Sequence, residues 1–240
     1  MRGQVFDELC IEFWRPECTG KYAEVAANLI ISIGQLLTNN RVIDFGCGIG
    51  QIATELGKRG LIVTGIERSD HAFKEATRKP HVNCSFLHSD WSDFQTKGQF
   101  ECAVFWRTTL CAGRDKDLQS LLVAHNSLLD GGRVIIESRN WSHDLRFFEN
   151  SSERFCELGK LHETHTFNDK TGIQTTREHF ETDSGEVVRS YETQRYSISE
   201  LENLLELAGF SDLQAFDETG SVLNRKSKRL IMRAVKRGLA

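Results

Sequence analysis

Two segments of this chain carry residues whose types and spacing can do chemistry. The first is Val42-Ile43-Asp44-Phe45-Gly46-Cys47-Gly48-Ile49-Gly50, an apolar run that passes into glycine at alternate positions before a helix-forming stretch. Glycine adopts positive φ at little steric cost and lets a ligand come close to the backbone. The helix that follows presents free N–H groups and a partial positive charge to an anionic group. The second is a pair of acids further along: Glu67 closes the next apolar run, and Asp90-Trp91 follows the one after. A carboxylate at Glu67 can accept hydrogen bonds from both hydroxyls of a ribose. An acid at Asp90 can accept the exocyclic amine of adenine, and the indole of Trp91 can pack on the ring. Each residue alone also fits a surface turn. Their order, one group at the end of each of three successive strands, favours a ligand, because the carboxyl edge of an open α/β sheet is where ligands bind. The loop reads GxGxG; the dinucleotide fingerprint GxGxxG would need glycine where Gln51 stands.

Two cations point to the same edge. Arg107 follows the fourth apolar run and Arg139 the fifth. A guanidinium matches a carboxylate with two parallel hydrogen bonds, so a carboxylate-bearing acceptor is the chemistry they suggest, with exposed loop arginines as the bland alternative. His143, His162, His165 and His179 fall where a cover over the site is expected, and any of them could serve as a base near neutral pH or simply be exposed. Tyr22 could lean over the site from the first long helix, and Trp14 and Arg15 could belong to a lid. The run Arg225-Lys226-Ser227-Lys228-Arg229 reads as a solvated turn, since no stacking aromatics flank it.

An α/β frame must position these groups. Residues 1–20 read as a lead-in with two short helices, and 21–37 as a helix with Tyr22, Val25, Leu29 and Ile33 at helical spacing. Strands are expected at Arg41–Phe45, Leu61–Ile66, Val82–His88, Phe100–Trp106 and Arg133–Glu137, with helices between them. The last of those helices closes at Asp130-Gly131-Gly132. Such alternation implies crossover connections and a parallel sheet. From 159 to 197 three runs rich in Thr, Val, Phe and Tyr suggest three antiparallel strands that cover one end of the sheet. A helix then starts at Ser197 or Ser199 and stops at Gly209, and Phe210–Phe216 and Leu230–Val235 form a closing strand pair.

Composition narrows the classes. With 240 residues, roughly 70% of the unfolded surface is buried on folding, enough for one good core. Lys plus Arg number 30 against 34 Asp plus Glu, and a net charge of -4 does not suit a nucleic-acid backbone. No apolar run approaches the ~18 residues that cross a bilayer. Met1 to Cys10 carries Asp7 and Glu8 and does not read as a secretory signal. Seven cysteines without CxxC spacing argue for a reduced, cytoplasmic protein with neither disulfide framework nor zinc site. Cys47 reads as a small residue in a tight turn. The expected partner is a small-molecule substrate, with no nucleic acid and no membrane, and the chain acts as a monomer or homodimer.

On these residues the sequence resembles the class I S-adenosylmethionine-dependent methyltransferases. Asp44 to Gly50 looks like the family's first motif, Glu67 its ribose-binding acid and Asp90-Trp91 its adenine-contacting pair. Phe105 and Trp106 fall at its fourth-strand motif, and Ala208-Gly209-Phe210 matches an ending common in small-molecule members. The resemblance implies an α/β, Rossmann-like seven-stranded sheet, mostly parallel with an antiparallel last strand, plus a small antiparallel β insertion. It implies one domain over 1–240, with a cofactor core at 40–140 and a substrate-covering insertion at 141–198. S-adenosyl-L-methionine is then the cofactor, held by Asp44, Gly46, Cys47, Gly48 and Gly50 of the loop and by Glu67, Arg68, Asp90, Trp91 and Trp106. Ser138-Arg139-Asn140-Trp141 is similar to a segment of glycine and sarcosine N-methyltransferases in which the arginine holds the substrate carboxylate. That likeness implies an acceptor site of Arg107, Thr109, Arg139 and Trp141. It departs at Arg107-Thr108-Thr109-Leu110, where that family has Gly-Asn-Ser and Thr109 is the nearest counterpart of the asparagine. The expected reaction is in-line methyl transfer to the nitrogen of a small amine without a metal, with Tyr22, His143 and His165 as catalytic candidates. The alternatives are O-methylation of a natural product's carboxylate or hydroxyl, and a non-catalytic S-adenosylmethionine-binding protein.

Overall fold

The computed structural model of the protein describes residues 7–18, 20–107 and 110–238. Among the described residues of the lead-in there is one helix, α1 (Glu8–Cys18). Next, α2 (Lys21–Gly34) buries Ala23, Ala26, Ala27, Ile30 and Ile33 at helical spacing. It stops at Gly34 rather than at 37 because Gln35 turns the chain at φ 49, a left-handed cap.

Five strands alternate with three helices: β1 (Arg41–Phe45), α3 (Gln51–Lys58), β2 (Ile62–Glu67), α4 (Asp70–Thr77), β3 (Cys84–His88), β4 (Phe100–Phe105), α5 (Arg114–Ser127) and β5 (Leu128–Arg139). After the second sheet come α7 (Ile198–Leu207), β10 (Phe210–Phe216) and β11 (Arg229–Lys236). The main sheet has seven strands in the order β10-β11-β5-β4-β1-β2-β3. All its pairings are parallel except those of β11, which runs antiparallel to β10 and β5. The expected sheet is therefore present. Ser197, not Ser199, caps α7, in a capping box with Glu200.

Both faces of the sheet are covered. Phe45, Phe105, Leu121, Leu204 and Phe210 form the core on the α5–α7 side, and Ile30, Val42, Leu56, Val104 and Ile231 the core on the α2–α3 side. Burial on both faces is why β1 reads as an unbroken apolar run around its one acid. Two boundaries shift. β3 begins at Cys84, and α5 ends at Ser127, so Asp130-Gly131-Gly132 falls inside a bulged β5 whose register jumps between the Phe100↔Leu128 and Cys102↔Arg133 pairs.

A second sheet, β6-β7-β8-β9, is an antiparallel meander of Ser151–Cys156, Gly159–Asn168, Ile173–Thr182 and Gly185–Gln194. It has four strands rather than three. β6 escaped the pattern because it is polar and its one aromatic, Phe155, is 72% exposed. The short helix α6 (Trp141–Asp144) leads into this sheet from β5. α1 joins the two sheets. Its Ile11 packs with Ile49 and Ala72, while its Phe13 packs with Leu161 and Phe180, the Phe13 and Phe180 rings lying 5.3 Å apart. Arg189 on β9 reaches Asp7 at 2.7 Å and Glu178 on β8. Among the described residues no helix is long and apolar enough to cross a membrane, and Cys10, Cys47, Cys84, Cys102, Cys111 and Cys156 are not joined in disulfides.

Candidate active site

The carboxyl ends of β1, β2 and β4 open into a cavity of about 1010 Å³ whose far wall is the second sheet. That is at the top of the usual range for one ligand, so two small molecules fit side by side. The loop after β1 builds one wall. Gly46, Gly48 and Gly50 sit at φ 70, 57 and 76, and the N–H groups of Gly46 and Cys47 donate to the Ile66 carbonyl at 2.8 and 3.0 Å. Glu67, 6% exposed, ties this loop to the end of β2: one oxygen accepts from Gly48 N–H at 2.9 Å and the other from Ser69 N–H at 2.7 Å. Gly50 does not reach the cavity. It packs behind, where a Cβ would stand 2.8 Å from the Phe86 ring.

The electrostatics of this half are acidic. Burial, with the Glu67 charge nearby, pushes the Asp44 carboxyl up to about 7. Burial also raises Glu67, against the pull of its backbone donors. Asp90 is held below the usual range: against the upward push of its burial, it accepts from Ser92 N–H and Oγ and faces Arg68 at 3.5 Å. Trp91 is fixed by its indole N–H donating to Ser120 at 2.8 Å, with Arg68 5.7 Å from its ring. Backbone donors, two vicinal acceptor oxygens on Glu67, a bracketed indole and a buried acid open to the cavity make a set suited to a ligand with a ribose, an adenine and a cationic chain. S-adenosylmethionine fits these residues.

The other half is basic. Arg107, at φ 65, lays its guanidinium 4.8 Å from the Tyr22 ring, and its N–H donates to Glu137 at 2.8 Å. Glu137 also takes the Arg229 side chain. Tyr22 accepts from the Trp106 indole at 2.9 Å, and burial with the Glu137 charge raises its phenol. It stays protonated and orients the wall. Arg139 faces Asp144 at 3.2 Å and is 53% exposed along its side chain. Trp141, 7% exposed, packs 4.5 Å from Phe167.

Loop residues Asp44, Gly46, Cys47 and Gly48 line the cavity, as do Glu67, Arg68, Asp90, Trp91 and Trp106. Arg107, Arg139, Trp141, Tyr22 and His165 line it too. Thr109 lies outside the described residues. His143 is not among the lining residues: α6 turns it back on Asp144, 3.5 Å from its Nδ1. The basic run also needs correcting. Arg229 is no solvated turn residue, because β11 pairs antiparallel with β5, sets Arg229 opposite Arg139 and delivers its side chain to Glu137.

Sequence reasoning missed the inner face of the second sheet. Gln174, Thr176, Glu178 and Phe180 alternate inward along β8, and Glu163 on β7 is 3% exposed, taking Ser152 Oγ at 3.0 Å and facing Arg154 at 3.5 Å. Arg154 lies 3.6 Å over Trp14, and Arg195, just past β9, lies 5.6 Å from the Trp141 ring. The only signal was a period of two with polar residues on both faces, which does not say which face is inside.

Comparison with known proteins bears on this geometry. Residues 42–132 match the family described as a methyltransferase domain. A protein of Geobacillus sp. (strain WCH70) named as a methyltransferase is 29% identical over 73 residues, 29% of this chain and 30% of that protein's length. The chain thus spans under a third of that relative. Among solved structures, the CcbJ methyltransferase of Streptomyces caelestis superposes with a TM-score of 0.76 at 15% identity, covering 92% of this chain and 91% of the other. The S-adenosylmethionine-bound CalS10 of Micromonospora echinaspora, an amino pentose methyltransferase, gives a TM-score of 0.69 at 16% identity, covering 98% and 100%. The matched segment, 42–132, spans the glycine loop, Glu67 and Asp90, and the whole chain shares the seven-stranded fold of those solved methyltransferases.

Proposed function

We propose that the protein transfers a methyl group from S-adenosylmethionine to the nitrogen of a small amine that also carries an anionic group, such as an amino acid or a similar carboxylate-bearing metabolite. One observation carries this reading, the division of charge across the cavity. The cofactor half holds Asp44, Glu67 and Asp90 against Arg68. The acceptor half holds Arg107, Arg139, Arg154, Arg195 and Arg229 against Glu137, Asp144 and Glu163, with an exposed Glu149 at the rim. Excess positive charge attracts an anion and favours the neutral form of a bound amine, the form that attacks. When bound, the cofactor supplies a methyl group already activated by its sulfonium charge. The chain supplies alignment and exclusion of water: Trp106 hydrogen-bonds Tyr22, Arg107 stacks on Tyr22, and Trp141 lines the same cavity. The likeness to an amino pentose methyltransferase supports an amine acceptor. The same reading has the enzyme act in the cytoplasm on a free metabolite, without nucleic acid or membrane, as a monomer or homodimer.

A labelled-methyl screen over amino acids, amines and carboxylic acids, with mass detection, tests it. Label on nitrogen is expected. Label on oxygen would replace the reading with O-methylation. Calorimetric binding of S-adenosylmethionine without turnover of any acceptor would leave a binding protein.

A further inference from the structure

We infer that Arg195 is the anchor for the acceptor's anionic group, a carboxylate or phosphate, and that the Nε2–H of His165 is its second donor. This rests on the proposed function for the acceptor's identity, but the subsite is argued from its own geometry. Arg195 is rigidly placed. Its N–H donates to the Gly172 carbonyl at 2.8 Å, and the preceding Gln194 N–H donates to Cys111 at 2.9 Å. Its side-chain Nε donates to Gln174 Oε1 at 3.0 Å, and the guanidinium sits 5.6 Å from the Trp141 ring. Three other arginines of this half face carboxylates, Arg139 with Asp144, Arg154 with Glu163 and Arg229 with Glu137, while the Arg107 guanidinium lies over the Tyr22 ring. Arg195 lines the cavity and forms no ion pair with any described residue. Loss of solvent pulls its pKa down and the charge of Arg139 adds to that, against the opposing pull of Cys111, Tyr191 and Asp144. A guanidinium only partly open to solvent and with no carboxylate at ion-pair distance is costly, and an oxyanion would remove that cost.

His165 is joined to Arg195 through Gln174, and both line the cavity. Gln174 Oε1 is occupied by Arg195, which fixes the amide orientation, so Gln174 Nε2 donates to His165 Nδ1 at 3.3 Å. Thr176 Oγ1 lies 3.1 Å from that same Nδ1 and 3.1 Å from Gln174 Nε2. Nδ1 is therefore an acceptor, and a neutral imidazole must carry its proton on Nε2. Burial holds His165 below its usual range, and of the charges that act on it, Arg139, Arg195 and Arg154 outnumber Glu163. In this arrangement His165 is a donor rather than a ready base. The Trp141 indole N–H, in a side chain 7% exposed, also lacks an acceptor. The subsite is rich in donors and short of acceptors, as an oxyanion requires. Arg139 is the weaker anchor, being half-exposed and already facing Asp144.

The test reads anion binding apart from turnover. Cofactor-loaded protein is titrated with sodium acetate or inorganic phosphate at constant ionic strength, following tryptophan emission. A saturable response is expected, with one anion preferred. Arg195→Gln should weaken binding of that anion at least about tenfold, Arg195→Lys less, and Arg139→Gln only about twofold to threefold. Once the labelled-methyl screen provides an acceptor, Arg195→Gln should raise its KM at least about tenfold with kcat changed less than about threefold, the sign of lost uniform binding. Unchanged cofactor affinity confirms folding, and Arg195→Lys serves if the glutamine variant does not fold. No response of the wild type to either anion, or the same midpoint in Arg195→Gln, overturns the assignment. Anion binding lost in Arg195→Gln without turnover of any acceptor would overturn the proposed function and leave the subsite standing.

Discussion

The carboxylate of Glu67 accepts the N–H of Gly48 across 2.9 Å, joining the glycine loop after β1 to the end of β2. One acid thereby shapes the loop and remains part of the cavity wall. Its removal is a test of both roles.

Glu67→Ala leaves the N–H groups of Gly48 and Ser69 without their acceptor. The Kd for S-adenosylmethionine should rise by about 1.5–3 kcal/mol, on the order of tenfold to a hundredfold, with the circular dichroism spectrum unchanged. Calorimetry that finds the affinity within about twofold of wild type would remove Glu67 from the cofactor site.

Gly50→Ala separates packing from backbone strain. The new Cβ would stand 2.8 Å from Phe86 and 3.2 Å from the Ala76 Cβ, at φ 76. Gly131 has a similar φ of 77 and nothing within 4 Å, so Gly131→Ala carries strain alone. Strain costs about 1 kcal/mol and overpacking about 1–3 more, so Tm should fall by roughly 5–15 °C in Gly50→Ala and only about 2–4 °C in Gly131→Ala. Equal losses in thermal melts would show that the contact with Phe86 relaxes freely.

Asp44 makes stability depend on pH. Its folded value of about 7 lies above the unfolded 3.8, so the folded chain holds a proton that the unfolded chain gives up within that window. Stability therefore falls as pH rises from about 4 to about 7, by up to roughly 4 kcal/mol from this group. Asp44→Asn should remove that slope, read as denaturant midpoints of both proteins across pH 4.5–8. Parallel curves would contradict the shift. A cationic ligand group beside Asp44 reverses the shift, so cofactor binding near pH 7 should release a proton, seen as a calorimetric enthalpy that varies with the buffer.

Asp117 positions the acceptor side. It is 1% exposed and accepts Ala112 N–H at 3.0 Å, Gly113 N–H at 3.2 Å and the Tyr196 hydroxyl at 2.6 Å. It thus ties the chain after β4 to the residue following Arg195. Asp117→Asn leaves at least one of these groups badly matched, a cost of about 1–3 kcal/mol. The acceptor KM should rise several-fold while the cofactor Kd stays put. A parallel change in both would mark a general structural role.

The sequence by itself determined the cofactor half. The apolar runs before Gly46–Gly50 and Glu67 read as buried parallel strands, the half-exposed edge strand β3 follows in the same alternation, and parallel strands deliver their ends to one edge. Local signals sufficed there because each group lies at or just past the end of its own strand. Tertiary structure alone decided the acceptor half. Alternation along β8 leaves open which face is inside; Phe13 of α1, packed on Leu161 and Phe180, covers that face at the far end and turns Gln174 and Thr176 toward the cavity. The same holds for Arg229, an exposed turn residue by its neighbours in sequence, which reaches Glu137 only because the last strand runs antiparallel beside β5. The charge of Arg195 is likewise ordinary until the fold sets it beside Trp141 and Gln174 in the cavity wall. Pairings between groups distant in sequence depend on how sheets and helices pack, and no local pattern of residue types encodes them.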